Sequence, residues 1–117
     1  MSVLQRPPPT RRMTSRVGAR DVWAYWSCNG REDVLAVVDV SLGGLFVATS
    51  GHWPLGATGK IDFLVSEGQI RAEVVVRHVE GDKGLGLKFS AIPQADRPHL
   101  AALLTRLRSF TRECGNP

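Results

Sequence analysis

Two short polar segments carry the side chains best suited to binding chemistry. Arg11, Arg12 and Arg16 place three guanidinium groups just ahead of the first apolar run. A guanidinium presents a planar fork of donors that matches phosphate oxygens and the outer edge of guanine. The second segment, residues 39–44 with the sequence DVSLGG, contains a carboxylate, a hydroxyl and two adjacent glycines. We predict that the two segments meet in space and bind an anionic guanine nucleotide.

The residue types of the second segment suit a turn that contacts a guanine base. Asp39 can accept hydrogen bonds from the N1–H and N2–H2 groups of guanine, and Ser41 can bond the same base or hold the turn. Gly43 and Gly44 lack a Cβ atom, so the backbone can approach a ligand closely. The sequence predicts a tight, polar and exposed turn that joins two strands.

The elements that position these segments are predicted from apolar periodicity. Alternation over residues 70–76 is typical of a half-buried strand, whereas the nearly continuous apolar run at residues 34–38 predicts a strand buried on both faces. Asn29 and Gly30 predict a hairpin. Predicted strands cover residues 22–26, 34–40, 45–49, 60–65, 70–76 and 85–89, and residues 50–59 are predicted as a loop. About six short strands at hairpin spacing predict a mainly β protein, a small antiparallel barrel.

The pattern becomes helical near the C-terminus. Leucines at positions 100, 103, 104 and 107, together with Phe110, follow a period of 3.6 residues. Asp96 suits the N-cap and Pro98 the first turn. One helix over residues 96–110 is therefore predicted to cover the barrel.

Composition limits the class of protein. A chain of 117 residues with 43% hydrophobic and 22% charged residues fits one globular domain. The net charge of +4 favours an anionic partner. Cys28 and Cys114 do not form a disulfide framework, and residues 1–9 lack the apolar region of a signal peptide. No apolar run approaches the length of a membrane helix, so a soluble, cytoplasmic protein is expected.

The two segments together resemble the signature of the PilZ domain family, R-x-x-x-R followed by D/N-x-S-x-x-G. Arg12-Met-Thr-Ser-Arg16 matches the first part, and residues 39–44 match the second. The resemblance implies a six-stranded, split-barrel fold with a C-terminal α-helix over residues 11–111, between tails at residues 1–10 and 112–117. It also implies a receptor for cyclic di-GMP with no catalytic activity, no cofactor and no metal, which passes its signal to a downstream protein that controls motility, exopolysaccharide or secretion.

The resemblance assigns cyclic di-GMP binding to both segments. The predicted site residues are Arg11, Arg12, Arg16, Asp39, Ser41, Gly43 and Gly44. Arg16 and Arg20 form a second R-x-x-x-R, and we favour the pair formed by Arg12 and Arg16. The additional guanidinium of Arg11 suggests that two stacked ligand molecules bind. Contacts from Arg77 or Lys88 remain open, as does the choice between monomer and homodimer.

Three other functions were weighed. A degenerate PilZ domain would act as a protein adaptor without ligand. A small barrel that binds nucleic acid would use Trp23, Tyr25 and Trp26 as stacking platforms, but we interpret these aromatic residues as core. An enzyme is not expected, because Ser41 is not in a nucleophile elbow and the three histidines lack metal-ligand spacing.

Overall fold

The computed structural model describes residues 16–115, with side chains up to residue 109. Its elements are the strands β1 (Val17–Gly18), β2 (Trp23–Cys28), β3 (Arg31–Val40), β4 (Gly44–Ala48), β5 (Thr58–Phe63), β6 (Ile70–Glu80) and β7 (Gly84–Ala91), a 3₁₀ turn (Gln94–Asp96) and the helix α1 (Arg97–Gly115). The predicted tail at residues 1–10 and the side chain of Phe110 lie outside the described residues. The helix continues beyond its predicted end at residue 110 to Gly115.

Six strands close into an antiparallel barrel. Hydrogen-bonded neighbours follow the order β3, β2, β5, β6, β7, β4, and β4 pairs back with β3. This confirms the predicted mainly β barrel with one C-terminal helix. The short strand β1 was not predicted, because two residues are too few to show alternation. It pairs with the end of β3 through Val17 opposite Val40 and Gly18 opposite Asp39.

The barrel interior is filled by alternate residues of the strands. On β6 the residues Ile70, Ala72, Val74 and Val76 point inward and are buried, as their spacing predicted. Trp26 is fully buried and makes an edge-to-face contact with Trp53 at 5.8 Å between ring centroids. The helix contributes a buried leucine stripe, Leu100, Leu103, Leu104 and Leu107.

The helix is tied to the barrel by two ion pairs. Asp96, which was predicted as the N-cap, directly precedes α1 and is buried. Its Oδ2 accepts hydrogen bonds from the Arg71 backbone N–H at 2.9 Å and from Arg71 Nε at 3.1 Å. These bonds hold the pKa of Asp96 below its ordinary value. Glu67 pairs with Arg106 on the helix, whose hydrogen bond likewise lowers the pKa of Glu67. Both carboxylates therefore favour the docked helix while they are ionised.

The outer face of β2 and β3 departs from the sequence prediction. Trp26 is in the core, but Trp23 is 48% exposed and Tyr25 is 38% exposed, so their assignment to the core was wrong. Val34 and Val38 on β3 are also exposed, which contradicts burial on both faces of that strand. The reason is geometric: a single barrel buries only its inner face, and no other described element covers the outer side of these strands.

The loop predicted over residues 50–59 ends earlier than expected. Gly59 lies within β5, opposite Val74 of β6. A Cβ atom at this position would stand 2.6 Å from the Ser27 carbonyl oxygen, so glycine here permits close strand packing rather than a turn.

Candidate functional site

The side chain of Ser41 stabilises the turn between β3 and β4. Its Oγ accepts hydrogen bonds from the backbone N–H groups of Gly43, at 3.1 Å, and Gly44, at 3.2 Å. The same hydroxyl donates to the Gly44 carbonyl oxygen at 3.3 Å, and the Ser41 backbone N–H donates to that oxygen at 2.8 Å. Ser41 is only 3% exposed, although the turn was predicted to be exposed. Two roles were considered for Ser41, contact with the guanine base and stabilisation of the turn, and these bonds correspond to stabilisation of the turn.

The two glycines bring this turn against β7. A Cβ atom on Gly44 would lie 2.2 Å from the Leu87 carbonyl oxygen, so only glycine allows β4 and β7 to pair here. The Gly43 carbonyl oxygen accepts a hydrogen bond from the Phe89 backbone N–H at 2.9 Å. The turn is therefore held at a fixed position beside the edge of β7.

Arg16 reaches the start of the same turn from a distant part of the sequence. Its Nη1 donates to Asp39 Oδ1 at 2.7 Å across 23 positions of sequence. The pairing of β1 with β3, in which Gly18 stands opposite Asp39, explains this placement. The two side chains are half and about a quarter exposed, so both remain accessible to a ligand. The bond uses one of the five N–H donors of the guanidinium.

A surface cavity of about 370 Å³, here called the anion pocket, opens beside this ion pair. Its lining consists of Arg16, Ser41, Gly43, Gly44, Arg77, His78, Gly86, Leu87 and Lys88. The volume falls within the range of small-molecule pockets. Four of the predicted site residues, Arg16, Ser41, Gly43 and Gly44, thus line one cavity. Asp39 does not line it but is hydrogen-bonded to Arg16, which does.

Strand register brings further cations into the anion pocket. Lys88 stands opposite Gly44 in the pairing of β4 with β7. On β6, the register against β7 shifts between Val76 and His78, and this bulge allows the consecutive residues Arg77 and His78 both to line the cavity. Arg77 and Lys88 were open candidates in the sequence, and His78 was not assigned to the site. Only the strand pairing, which sequence spacing does not reveal, brings these three residues together.

The anion pocket is strongly cationic. Arg16, Arg77 and Lys88 place three basic side chains on its lining, and His78 adds an imidazole ring. Backbone and hydroxyl groups of the turn supply polar surface beside them. An arrangement of this kind suits a ligand with phosphate groups and a planar base, since guanidinium groups both bond phosphate and stack on rings.

Two predicted site residues, Arg11 and Arg12, lie outside the described residues. Arg20 belongs to the alternative motif register; it is exposed and follows β1, and it does not line the anion pocket.

Within the described part of the chain, no three acidic, histidine or cysteine side chains are arranged to hold a metal ion. None of the described helices is long and apolar enough to cross a membrane.

The fold and this site define the class of protein. The sequence model of the PilZ domain matches residues 10–106, most of the chain. The protein therefore belongs to the PilZ domain family.

Solved structures with the same fold share little sequence with the chain. The PilZ domain of YcgR from Escherichia coli, solved with c-di-GMP, has a TM-score of 0.69 at 16% identity, with 91% of this chain and 98% of that chain covered. MrkH of K. pneumonia in its apo state gives 0.68 at 17% identity, covering 95% of this chain and 55% of that one.

A third similar structure is the PlzA protein of Borreliella burgdorferi in complex with c-di-GMP, with a TM-score of 0.58 at 18% identity. It covers 82% of this chain and 42% of that chain. At these identities the comparisons show a shared fold. Among curated proteins, none matches this sequence.

Proposed function

We propose that this chain is a cytoplasmic receptor domain for cyclic di-GMP that binds its ligand in the anion pocket. The observation that carries the proposal is the contact of Arg16 with Asp39 beside a cavity lined by three further cationic or titratable side chains. Membership of the PilZ family and the fold shared with two c-di-GMP complexes support the choice of ligand. The function is binding rather than catalysis.

Each group has a role that follows from its chemistry. Arg16, with Arg12 preceding it in the sequence, binds phosphate oxygens and the O6 and N7 edge of guanine. Asp39 accepts hydrogen bonds from guanine N1–H and N2–H2, which adenine does not offer as a pair. Arg77 and Lys88, which line the same cavity, stabilise the negative charge of the phosphates.

Ser41 and the glycines act on the ligand through the turn. Because the Ser41 hydroxyl already bonds both Gly43 and Gly44, it shapes the pocket floor instead of competing for the base. In this arrangement Gly43 and Gly44 present backbone at the cavity surface. The signal then passes to a downstream protein partner, which governs motility, exopolysaccharide or a related bacterial output.

Isothermal titration calorimetry tests the ligand directly. The wild type is titrated with cyclic di-GMP, with GTP and cyclic di-AMP as controls for the guanine and the cyclic diphosphate. We expect micromolar or tighter binding of cyclic di-GMP alone, because a few charge-assisted bonds of about 1.5–3 kcal/mol reach the roughly 8 kcal/mol required. A stoichiometry of two ligands per chain would support the stacked form suggested by Arg11, and one would reject it.

Variants of the ion pair locate the site. Arg16→Ala and Asp39→Ala are each expected to weaken binding about 10- to 150-fold, the equivalent of one charge-assisted bond. Arg108→Ala, which removes an exposed guanidinium on α1 outside the anion pocket, is the matched control and should bind as the wild type does. Unchanged affinity in both pocket variants, or no binding of cyclic di-GMP by the wild type at millimolar concentration, would refute the proposal.

A further inference from the structure

An aromatic patch stands on the barrel surface outside the anion pocket. Trp23 lies opposite Ala36 of β3, and Tyr25 lies opposite Val34. On the other side of β2, the Leu64 backbone N–H donates to the Trp23 carbonyl oxygen at 2.9 Å, which brings Leu64 beside Trp23. Trp23, Tyr25, Val34 and Leu64 are all more than one third exposed, so they form one continuous apolar surface.

The patch is large enough to contribute to a binding surface. From their exposed fractions, its four large side chains present roughly 400 Å² of apolar area, comparable to the largest patch on a typical monomer. That is about half of the area that one partner of a standard interface buries. Exposed tryptophan and tyrosine are also the residue types enriched at interface centres.

A groove adjoins the patch on the same face. Its volume is about 660 Å³, and it is lined by Tyr25, Ser27, Lys60, Ile61, Asp62, Arg71, Ala72, Glu73, Ala91, Ile92 and Pro93. Ile92 and Pro93 supply apolar wall, while Arg71 stands at the rim with its Nε held by Asp96. A guanidinium fixed in this way can stack on an indole ring. We call this cavity the outer groove.

Charge on this face permits contact between identical chains. Lys60 is paired with Glu73, and Asp62 with Arg71, in the register of β5 with β6. The chain as a whole carries +4, which opposes self-association through its cationic surfaces. Here both signs alternate, so a second copy meets as much opposite as like charge.

We infer that two copies of this chain form a two-fold dimer in which Trp23 of each copy inserts into the outer groove of the other. Tyr25, which lines the groove, lies two residues from Trp23 on one strand face, so their Cα atoms are about 7 Å apart and the protruding indole adjoins the groove. A two-fold axis in the contact plane, midway between them, places each indole over the groove of the other copy. The reciprocal insertion buries the apolar patch between the subunits.

Sedimentation equilibrium of the full chain from about 5 to 500 µM tests this inference. The wild type is expected to pass from the one-chain mass of 12.8 kDa to twice that value as concentration rises. Trp23→Ala should raise the dimer dissociation constant at least 30-fold, as loss of a hot-spot residue does. Leu55→Ala, which truncates an apolar side chain that is 65% exposed in the loop before β5, is the matched control and should dimerise normally.

A variant that fills the outer groove distinguishes insertion of Trp23 from non-specific hydrophobic association. Ala91→Trp places an indole in the groove while raising the apolar surface of the protein. Insertion predicts that Ala91→Trp weakens the dimer, whereas non-specific hydrophobic association predicts that it strengthens it. A wild type that stays at the one-chain mass to 500 µM, or tighter association of Ala91→Trp, would overturn the inference.

The inference does not rest on the proposed function. The patch and the outer groove share no residue with the anion pocket. Trp23→Ala is therefore expected to bind cyclic di-GMP with wild-type affinity, and circular dichroism of the same sample checks that it is folded. Loss of dimerisation with intact ligand binding supports two separate surfaces, while a dimer that binds no ligand leaves this inference standing and removes only the proposed function.

Discussion

Replacing Ser41 by alanine tests whether the turn of the anion pocket is held from within. The substitution removes the Oγ atom that accepts from the Gly43 and Gly44 backbone N–H groups and donates to the Gly44 carbonyl oxygen. Because Ser41 is 3% exposed, water cannot readily replace these bonds. The substitution destabilises the folded state, because each buried N–H left without an acceptor costs about 1–3 kcal/mol.

The expected loss of unfolding free energy is about 2–4 kcal/mol. Two N–H groups lose their acceptor, and Gly43 is only partly buried, so it contributes less than Gly44. Total stability of a domain is about 5–15 kcal/mol, so the variant should remain folded at 25 °C but unfold at clearly lower urea. Ser90→Ala, at an exposed position of β7, is the control and should change stability by less than about 0.5 kcal/mol.

Urea unfolding followed by tryptophan fluorescence measures both variants. Calorimetry on folded Ser41→Ala should show weaker binding of cyclic di-GMP, since the turn that presents Gly43 and Gly44 is loosened. A loss of stability below about 0.5 kcal/mol would contradict the buried hydrogen bonds as the reason for serine at this position. Unchanged stability with strongly reduced affinity would instead assign Ser41 a direct ligand contact.

Two further predictions concern packing and pH. Gly44→Ala forces a Cβ against the Leu87 carbonyl oxygen and should cost about 1–3 kcal/mol in urea unfolding, whereas Gly18→Ala, where a Cβ meets nothing within 4 Å, should cost less than about 1 kcal/mol; equal losses would exclude the clash. Arg71 lowers the folded pKa of Asp96, so the stability that Asp96 contributes is complete above its unfolded pKa near 4 and disappears as pH falls through the lower folded value. The difference in urea midpoint between wild type and Asp96→Asn should therefore be largest above pH 5 and shrink toward pH 2, and a difference independent of pH would contradict this.

Strand alternation predicted the barrel because inward positions repeat at a strict period. Residues 70–76 illustrate this, since Ile70, Ala72, Val74 and Val76 alternate along the strand and all fall on the buried face. The outer face was less predictable. Valine and aromatic residues suit strands whether or not they are covered, so Trp23 and Val34 carried no signal that would separate a core from an interface. Their exposure became visible only once the barrel was closed and no other described element lay over them.

The candidate site was also predicted only in part from the sequence. The spacing of the arginine motif and the turn predicted which residues to examine, and the contact of Arg16 with Asp39 lies where those segments meet. The contribution of Arg77, His78 and Lys88 depends on how β6 and β7 pair and on a bulge in β6. Neither the register nor the bulge follows from local residue patterns, because both are set by contacts between strands that are distant in sequence.

The ion pair between Arg16 and Asp39 has a consequence for how an anion is captured. A ligand that recruits the Arg16 guanidinium competes with an internal carboxylate already bonded to it. Salt weakens the ion pair between Arg16 and Asp39 as well as the attraction of Arg16 for the incoming phosphate, because the pair is solvent-accessible. The two effects oppose each other, so the internal carboxylate makes ligand affinity less sensitive to ionic strength than the number of cationic groups alone would suggest.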